Sequence, residues 1–363
     1  MAQPALEQPL AAVEVPAEAL ASAKENALAV DQGEAFAREI FPALGRAGQL
    51  DLGAPANTGG RLLDQAAVVE ALAERSLASG FALWGHRMGI EYLAAADTEW
   101  ARSVLPRLRT GSVPGVSGMA SAFKTFAGAG TLDLSLVREG DDLVISGRLP
   151  WASNLYEDAL VVSAAWDKTE GSEDAVPTIV AFWLSSDGVE VGKDLDLLAL
   201  QGTASTYVKV EDLRIPEEQV LSTDFYGFLG RCRPTFAILQ SAFCMGLATA
   251  SFRMARANLP GLNEVFFDEF CQLKDELEDA KETLRGFARS VGTDSPAERK
   301  DVLRLRLKAG QLAVSLAALE GKTSGGRGYV VTSDANRRLR ESLFLPVQSP
   351  SEAQLRWEIA KGR

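Results

Sequence analysis

The hydrophobic period of this chain changes twice, which restricts it to architectures that segregate helices from a sheet. From Ala17 to about Arg109, apolar residues recur at helical spacing. Phe36, Ile40 and Leu44 mark one helix, Val69, Leu72, Ala73 and Leu77 a second, and a third is expected through Phe81 to Tyr92. A loop over Gly53 to Gly60 separates the first two. Between Gly111 and about Thr223 the period falls to two, with strands expected at Leu160–Ala165, Thr178–Leu184 and Tyr207–Val210 and turns at Lys168–Asp174 and Asp187-Gly188. After Gly230 the helical period returns. Phe236, Gln240, Phe243, Leu247, Ala250 and Met254 form one seam, and Phe266, Phe270, Leu273, Leu277, Ala280, Leu284, Phe287 and Val291 a second. A third runs from Val302 to Leu319, behind a predicted capping box at Ser295-Pro296-Ala297-Glu298. Seams of this length predict an antiparallel bundle. The fold class expected is therefore multidomain α+β: an N-terminal helical domain over 17–112, a β-domain over 113–223 and a C-terminal helical bundle over 224–363.

At 363 residues the chain can bury a large core. Its net charge of −12 is spread along the sequence, without the basic stripe that nucleic acid or an anionic membrane would need. Residues 1–16 are rich in Pro and Ala and read as a loosely docked tail without a signal-peptide pattern. No continuous run of about 18 apolar residues predicts a membrane span. Cys232, Cys244 and Cys271 lie in apolar helical patterns without metal-type spacing, and reduced buried thiols suit a cytoplasmic location.

His86 is the one histidine, which excludes a multi-histidine zinc site and a histidine relay, so no metal is expected. The nearest approach to a GxSxG nucleophile motif, Gly115-Val116-Ser117-Gly118-Met119, lacks its last glycine. Neither GxGxxG after a strand nor a Walker lysine motif occurs.

The stretch Leu143–Asn154, LVISGRLPWASN, carries the chemistry. Leu132, Leu134 and Leu136 alternate with polar residues, Glu139-Gly140-Asp141-Asp142 turns the chain, and Leu143 resumes the pattern, so a hairpin is predicted. Its second arm is expected to leave the strand at Gly147 and Pro150, placing Trp151, Ser153 and Asn154 on a short loop. An aromatic face beside a hydroxyl can hold a planar heterocycle, since stacking fixes its plane and hydrogen bonds its rotation. A core aromatic beside ordinary turn residues is the alternative reading.

GDDLVISGRLPWASNLYEDALVV resembles the middle β-barrel domain of the acyl-CoA dehydrogenase superfamily, and VEDLRIPEEQVL resembles the closing strand of that barrel, with Ile215-Pro216 and Val220-Leu221 in place. Gly325-Gly326-Arg327-Gly328-Tyr329, followed by Asn336-Arg337-Arg338-Leu339-Arg340-Glu341, is similar to the family's glycine-rich segment near the fourth bundle helix. The resemblance implies an acyl-CoA dehydrogenase-like fold of N-terminal helical domain, β-barrel and four-helix bundle, assembled as a homo-oligomer. It implies an FAD cofactor contacted by Met119, Ser121, Trp151, Ser153 and Ser351. Gly325 and Gly326 would approach the flavin nucleotide of a neighbouring subunit, with a helix C-cap as the competing explanation.

The family's catalytic glutamate matches Ser349 here, and Glu352 is the nearest carboxylate. Ser349-Pro350-Ser351-Glu352 also reads as a capping box with Ser349 as N-cap. Cys232 and Arg233 match an alternative position of the base, where neither serves. His86 lies in a helix that reaches the substrate side of the flavin in the family. Gly118–Lys124 replaces a loop that holds flavin and thioester, and Ala257–Gly261 with Phe267 replaces residues that bind the adenosine diphosphate part. FMN, or reduced flavin delivered by a partner, is therefore an alternative to FAD. The first function expected is flavin-linked dehydrogenation of an acyl thioester with an electron acceptor as partner. A two-component monooxygenase served by a flavin reductase and a non-catalytic scaffold are the alternatives.

Overall fold

The computed structural model describes residues 13–55, 57, 60–169 and 175–362. Most of the N-terminal tail, part of the loop after Gly53 and most of the turn after Lys168 lie outside the described residues.

The N-terminal part is helical: α1 (Ala17–Glu25), α2 (Ala27–Gln32), α3 (Phe41–Arg46), α4 (Leu62–Ala73), α5 (Leu77–Ala96) and α6 (Glu99–Arg109). The expected second helix is two. Its seam is cut after Ala73, and Leu77 begins α5 because Ser76 takes an extended conformation and its side chain caps the Ser79 N–H. Phe36 does not share the helix of Leu44; it precedes a short 3₁₀ turn over Ala37–Ile40 and is exposed. Helix α5 is apolar on nearly every side, the pattern of a helix enclosed by other elements. It packs on α4, α6, the first strand and the long first helix of the bundle.

Eight strands follow: β1 (Gly115–Gly118), β2 (Leu134–Glu139), β3 (Asp142–Ala152), β4 (Leu160–Asp167), β5 (Val176–Trp183), β6 (Val189–Val191), β7 (Thr206–Pro216) and β8 (Val220–Ser222), with a helix, α7 (Ala120–Ala127), between β1 and β2. They form one sheet in the order β6-β7-β3-β2-β4-β5-β8, and β1 pairs in parallel with β4. All eight turn one face onto a common core. Val116, Leu136, Ile145, Val161, Phe182 and Val210 are among its buried members, and Val189 and Val220 pack against it, so the sheet wraps its own interior as a barrel. The opposite face of β4 and β5, through Leu160, Val162, Ile179 and Ala181, joins the helical core instead. Burial on both faces explains the near-continuous apolar reading of β4.

The predicted hairpin forms from β2 and β3, with Glu139 opposite Asp142 across the turn. Its second arm runs further than expected, through Gly147 and Pro150 to Ala152. Gly147 absorbs an irregularity in the β3–β7 ladder at a φ of 143°, where an added Cβ would lie 2.4 Å from the Asp133 carbonyl oxygen.

The bundle comprises α8 (Phe225–Asn258), α9 (Phe267–Ser290), α10 (Arg299–Ser324) and α12 (Glu352–Lys361), with α11 (Asp334–Ser342) across it. Helix α10 lies against α8, α9 and α12. By length and composition α8 could cross a membrane, but 94% of its apolar window is buried inside the molecule, as a core helix's is. The predicted box at Ser295–Glu298 does not cap α10, which begins at Arg299 without a side-chain cap. The Ala297 N–H is instead bound by the Ser290 hydroxyl at the end of α9. One continuous hydrophobic core joins the N-terminal helices to this bundle.

Candidate functional site

Position of the site begins with how closely α5 approaches β1. A Cβ on Gly89 would come within 2.9 Å of the Gly115 Cα, so the two backbones touch. His86 and Asn154 fix that contact. His86 Nδ1 accepts the Gly115 N–H at 2.9 Å, and Asn154 Nδ2 donates to the Ala82 and Gly115 carbonyls at 2.9 and 3.3 Å. With Nδ1 accepting, the His86 proton sits on Nε2, which donates to the Leu108 carbonyl at 3.0 Å. The ring is fully buried and stacks on Phe41 at 4.5 Å. Burial, opposed by the Leu108 hydrogen bond and aided by nearby Arg87, lowers its pKa to about 3. His86 is therefore a neutral strut rather than a catalytic group, because both nitrogens are committed to backbone.

Beyond this strut β1 leads into α7. Met119, which is buried, is the N-cap of α7 and supplies no side-chain cap, so the amides of its first turn, including that of buried Ser121, have no intrahelical acceptor.

Trp151 lies at the end of β3 rather than on a loop, facing away from the barrel core and 59% exposed. The core-aromatic reading therefore fails. Ser153 is part-exposed beside it, and its hydroxyl meets that of Ser205 at 2.7 Å; Ser205 in turn meets Thr203 Oγ1 at 2.7 Å, which donates to the Leu200 carbonyl at 2.8 Å. Ser205 and Thr203 were missed in the sequence. Their one signal was the run Thr203-Ala204-Ser205-Thr206 ahead of β7, and nothing local reveals that it lies beside Ser153, 52 residues earlier.

The other candidates gather at the start of α12. Ser351, not Ser349, is the N-cap: its hydroxyl accepts the Gln354 N–H at 3.3 Å, and Glu352 is the first helical residue. Ser351's side chain is committed to that cap. Glu352 accepts from Arg356 Nη2 at 2.6 Å and from Gln311 Nε2 at 3.2 Å, and these hydrogen bonds, against some burial, hold its carboxyl below the usual range. Ser349 is tied by its carbonyl, which accepts from Gln240 and from Gln348, each at 2.8 Å. Its hydroxyl oxygen is buried without a partner. Arg306, itself buried, donates to Gln240, to Gln348 and to the Leu345 carbonyl, fastening this loop to α8 and α10.

Gly325 terminates α10 at a φ of 57°, which supports its capping role, and an added Cβ at either Gly325 or Gly326 meets nothing within 4 Å of its own chain. Cys232 is buried and its thiol is pushed well above the usual value by desolvation, so it stays protonated. Arg233 pairs with buried Glu358 and leaves Nη1 buried without a partner. Among the described residues no group of three or more His, Cys, Asp and Glu is placed to hold a metal ion.

No family model matches the chain. It is 24% identical over 346 residues to the human mitochondrial short-chain specific acyl-CoA dehydrogenase, a match covering 90% of this chain and 82% of that protein. A glutaryl-coenzyme A dehydrogenase in complex with glutaryl-CoA shares the fold, with a TM-score of 0.83 at 18% identity over 95% of this chain and 93% of that one. So does a glutaryl-CoA dehydrogenase from Mycobacterium smegmatis in complex with FADH2, with a TM-score of 0.82 at 14% identity over 96% and 93%. The three-part architecture, the hairpin bearing Trp151 and these similarities over nearly the whole length agree: the chain has the acyl-CoA dehydrogenase fold and is similar in sequence to acyl-CoA dehydrogenases.

Proposed function

We propose that this protein is a flavin-dependent oxidoreductase that removes hydrogen from an acyl thioester or a closely related carbonyl compound. The observation that carries the reading is the Trp151 indole, held outside the barrel core with its face open and a hydroxyl beside it. An exposed tryptophan at a strand end leaves apolar area unburied unless something covers it. The polar groups that suit a flavin are the uncapped amides at the start of α7, which follows Gly118 where β1 meets Leu149 of β3, and the Ser153 hydroxyl. The solved relative holding FADH2 supports the cofactor and the one holding glutaryl-CoA supports a thioester.

Bound there, a flavin supplies a two-electron hydride acceptor. Trp151 would fix the plane of the ring and Ser153 its rotation. The His86–Gly115–Asn154 strut holds β1 and the start of α7 in register with the end of β3. Glu352 is the proton acceptor in this reading. Arg356 keeps it ionised at neutral pH, as an acceptor must be, and the same ion pair makes it weakly basic.

The test is to load the protein with FAD and add a short-chain acyl-CoA without oxygen. Bleaching of the flavin spectrum is expected, with its loss in Glu352→Gln. A flavin that never bleaches, in a protein that turns over only with reduced flavin and oxygen, would replace dehydrogenation by oxygenation. Trp151→Ala is expected to weaken flavin binding by about 1–3 kcal/mol, the cost of removing an aromatic stacking partner, or roughly 5- to 150-fold in Kd by fluorescence titration. An unchanged Kd would remove Trp151 from the site.

A further inference from the structure

The hydroxyls of Ser153, Ser205 and Thr203 form a chain whose direction is set by its far end. Thr203 is buried and its Oγ1 lies 2.8 Å from the Leu200 carbonyl oxygen, which can only accept. Thr203 therefore spends its single hydrogen there. The 2.7 Å contact between Thr203 and Ser205 must then be donated by Ser205, and the 2.7 Å contact between Ser205 and Ser153 by Ser153. Ser153 has no hydrogen left for the side that faces out beside Trp151. It presents lone pairs only.

The backbone holds this polarity in place. The Asn154 N–H donates to the Thr203 carbonyl at 2.9 Å and the Leu155 N–H to the Ala204 carbonyl at 3.1 Å, so the two segments run locked together. Among the described residues five non-glycine residues have positive φ, and three of them are here: Leu200 and Ala204 bracket Thr203, and Asn154 follows Ser153. Each such conformation costs on the order of 1 kcal/mol or more, so surrounding contacts must enforce it.

We infer that the Ser153–Ser205–Thr203 chain makes Ser153 an obligate hydrogen-bond acceptor that selects the reduced, N–H-bearing form of the flavin over the oxidised form. The inference rests on the flavin reading above and adds to it a redox preference. N5 is the ring-edge atom of a flavin that gains a hydrogen on reduction; set against Ser153, it would oppose lone pair to lone pair when oxidised and would donate its N5–H to Ser153 when reduced. Tighter binding of the reduced form raises the midpoint potential of the bound cofactor, which favours taking hydride from substrate. Ser153 and Trp151 touch the ring in this account, whereas Ser205 and Thr203 act through Ser153 as positioning residues.

The experiment measures the Kd of the full chain for oxidised FAD and, anaerobically, for dithionite-reduced FAD, with the midpoint potential by dye equilibration as a second readout. Wild type is expected to bind reduced FAD the more tightly. Ser205→Ala removes the inward acceptor and lets Ser153 turn its hydrogen outward. The ratio of oxidised to reduced Kd is expected to fall about tenfold, a drop in potential of about 30 mV for a two-electron couple. Ser205→Thr keeps the hydroxyl chain and is expected to retain the wild-type ratio, which separates loss of polarity from loss of fold. Equal affinities in wild type, or a ratio that Ser205→Ala leaves within about twofold, overturns the inference and leaves the flavin reading standing. Wild-type protein that binds neither form overturns both.

Discussion

Acidifying the protein from about pH 7 to about pH 4.5 is expected to cost roughly 1.4 kcal/mol of stability per pH unit below about 6.5 through His86 alone. The sign follows from where the proton binds. In the unfolded chain a histidine titrates near 6.5, whereas in the fold burial, partly offset by the Leu108 carbonyl, lowers His86 to about 3. Between those values the unfolded state holds a proton that the native state refuses, so stability is complete above about 6.5 and drains away toward about 3. Protonation would place a hydrogen on Nδ1, between the ring and the Gly115 N–H that it now accepts. Since His86 is the only histidine in the chain, its carbon-bound ring protons give isolated NMR signals. Those signals should stay fixed from about pH 8 to about pH 5, and urea unfolding should show the pH slope in wild type and lose it in His86→Asn. A native-state titration of the ring near pH 6 would contradict the strut.

Much of the architecture could be read from period alone. The two switches of spacing near Gly111 and Thr223 coincide with the changes between helix and strand in the fold; the seam Phe236–Met254 falls within α8, and the seam Phe266–Val291 overruns α9 by one residue at each end. Helix α7 was not foreseen, since eight residues, ASAFKTFA, offer barely two turns of pattern within a region of period two. Both misplaced caps have one origin: a hydroxyl followed by proline looks like a helix start, but which hydroxyl caps depends on partners far off in sequence. Ser349 is held through its carbonyl by Gln240 and Ser351 takes the cap, while Ser290 binds the segment ahead of α10.

Of the candidate site, Trp151 and Ser153 were legible because strand, aromatic and hydroxyl are adjacent in sequence. His86 was not, because nothing around Gly85-His86-Arg87 shows that Leu108 and Gly115 occupy both of its nitrogens. The hydroxyl chain behind Ser153 and the amide strut of Asn154 join segments 39 to 72 residues apart, and only the fold brings them together.

Glu358→Gln is expected to destabilise the bundle by about 3–5 kcal/mol, the range found when one partner of a buried ion pair is removed. Glu358 is fully buried on α12 and accepts from Arg233 on α8, from Arg299 Nη2 at the start of α10 at 3.2 Å, and from Gln354 one turn earlier at 2.9 Å. One carboxylate thus compensates two guanidiniums and ties three helices together. Arg233 is the more dependent of the two: it is buried, burial draws its pKa down to about 10, and it still carries its charge at neutral pH. Its Nη1 already lacks a partner, and Phe123 and Phe126 offer only their ring faces, at 5.8 and 5.4 Å. An amide in place of the carboxylate keeps the shape and one acceptor oxygen but leaves two cations facing each other with no anion between them. Pairing Glu358→Gln with Arg233→Met should recover more than half of the loss, because the double change removes the stranded charge as well. Chemical denaturation of the two variants and wild type provides the measurement. If Glu358→Gln costs less than about 1 kcal/mol, solvent reaches this cluster and the ion pair does not hold α12 to the bundle.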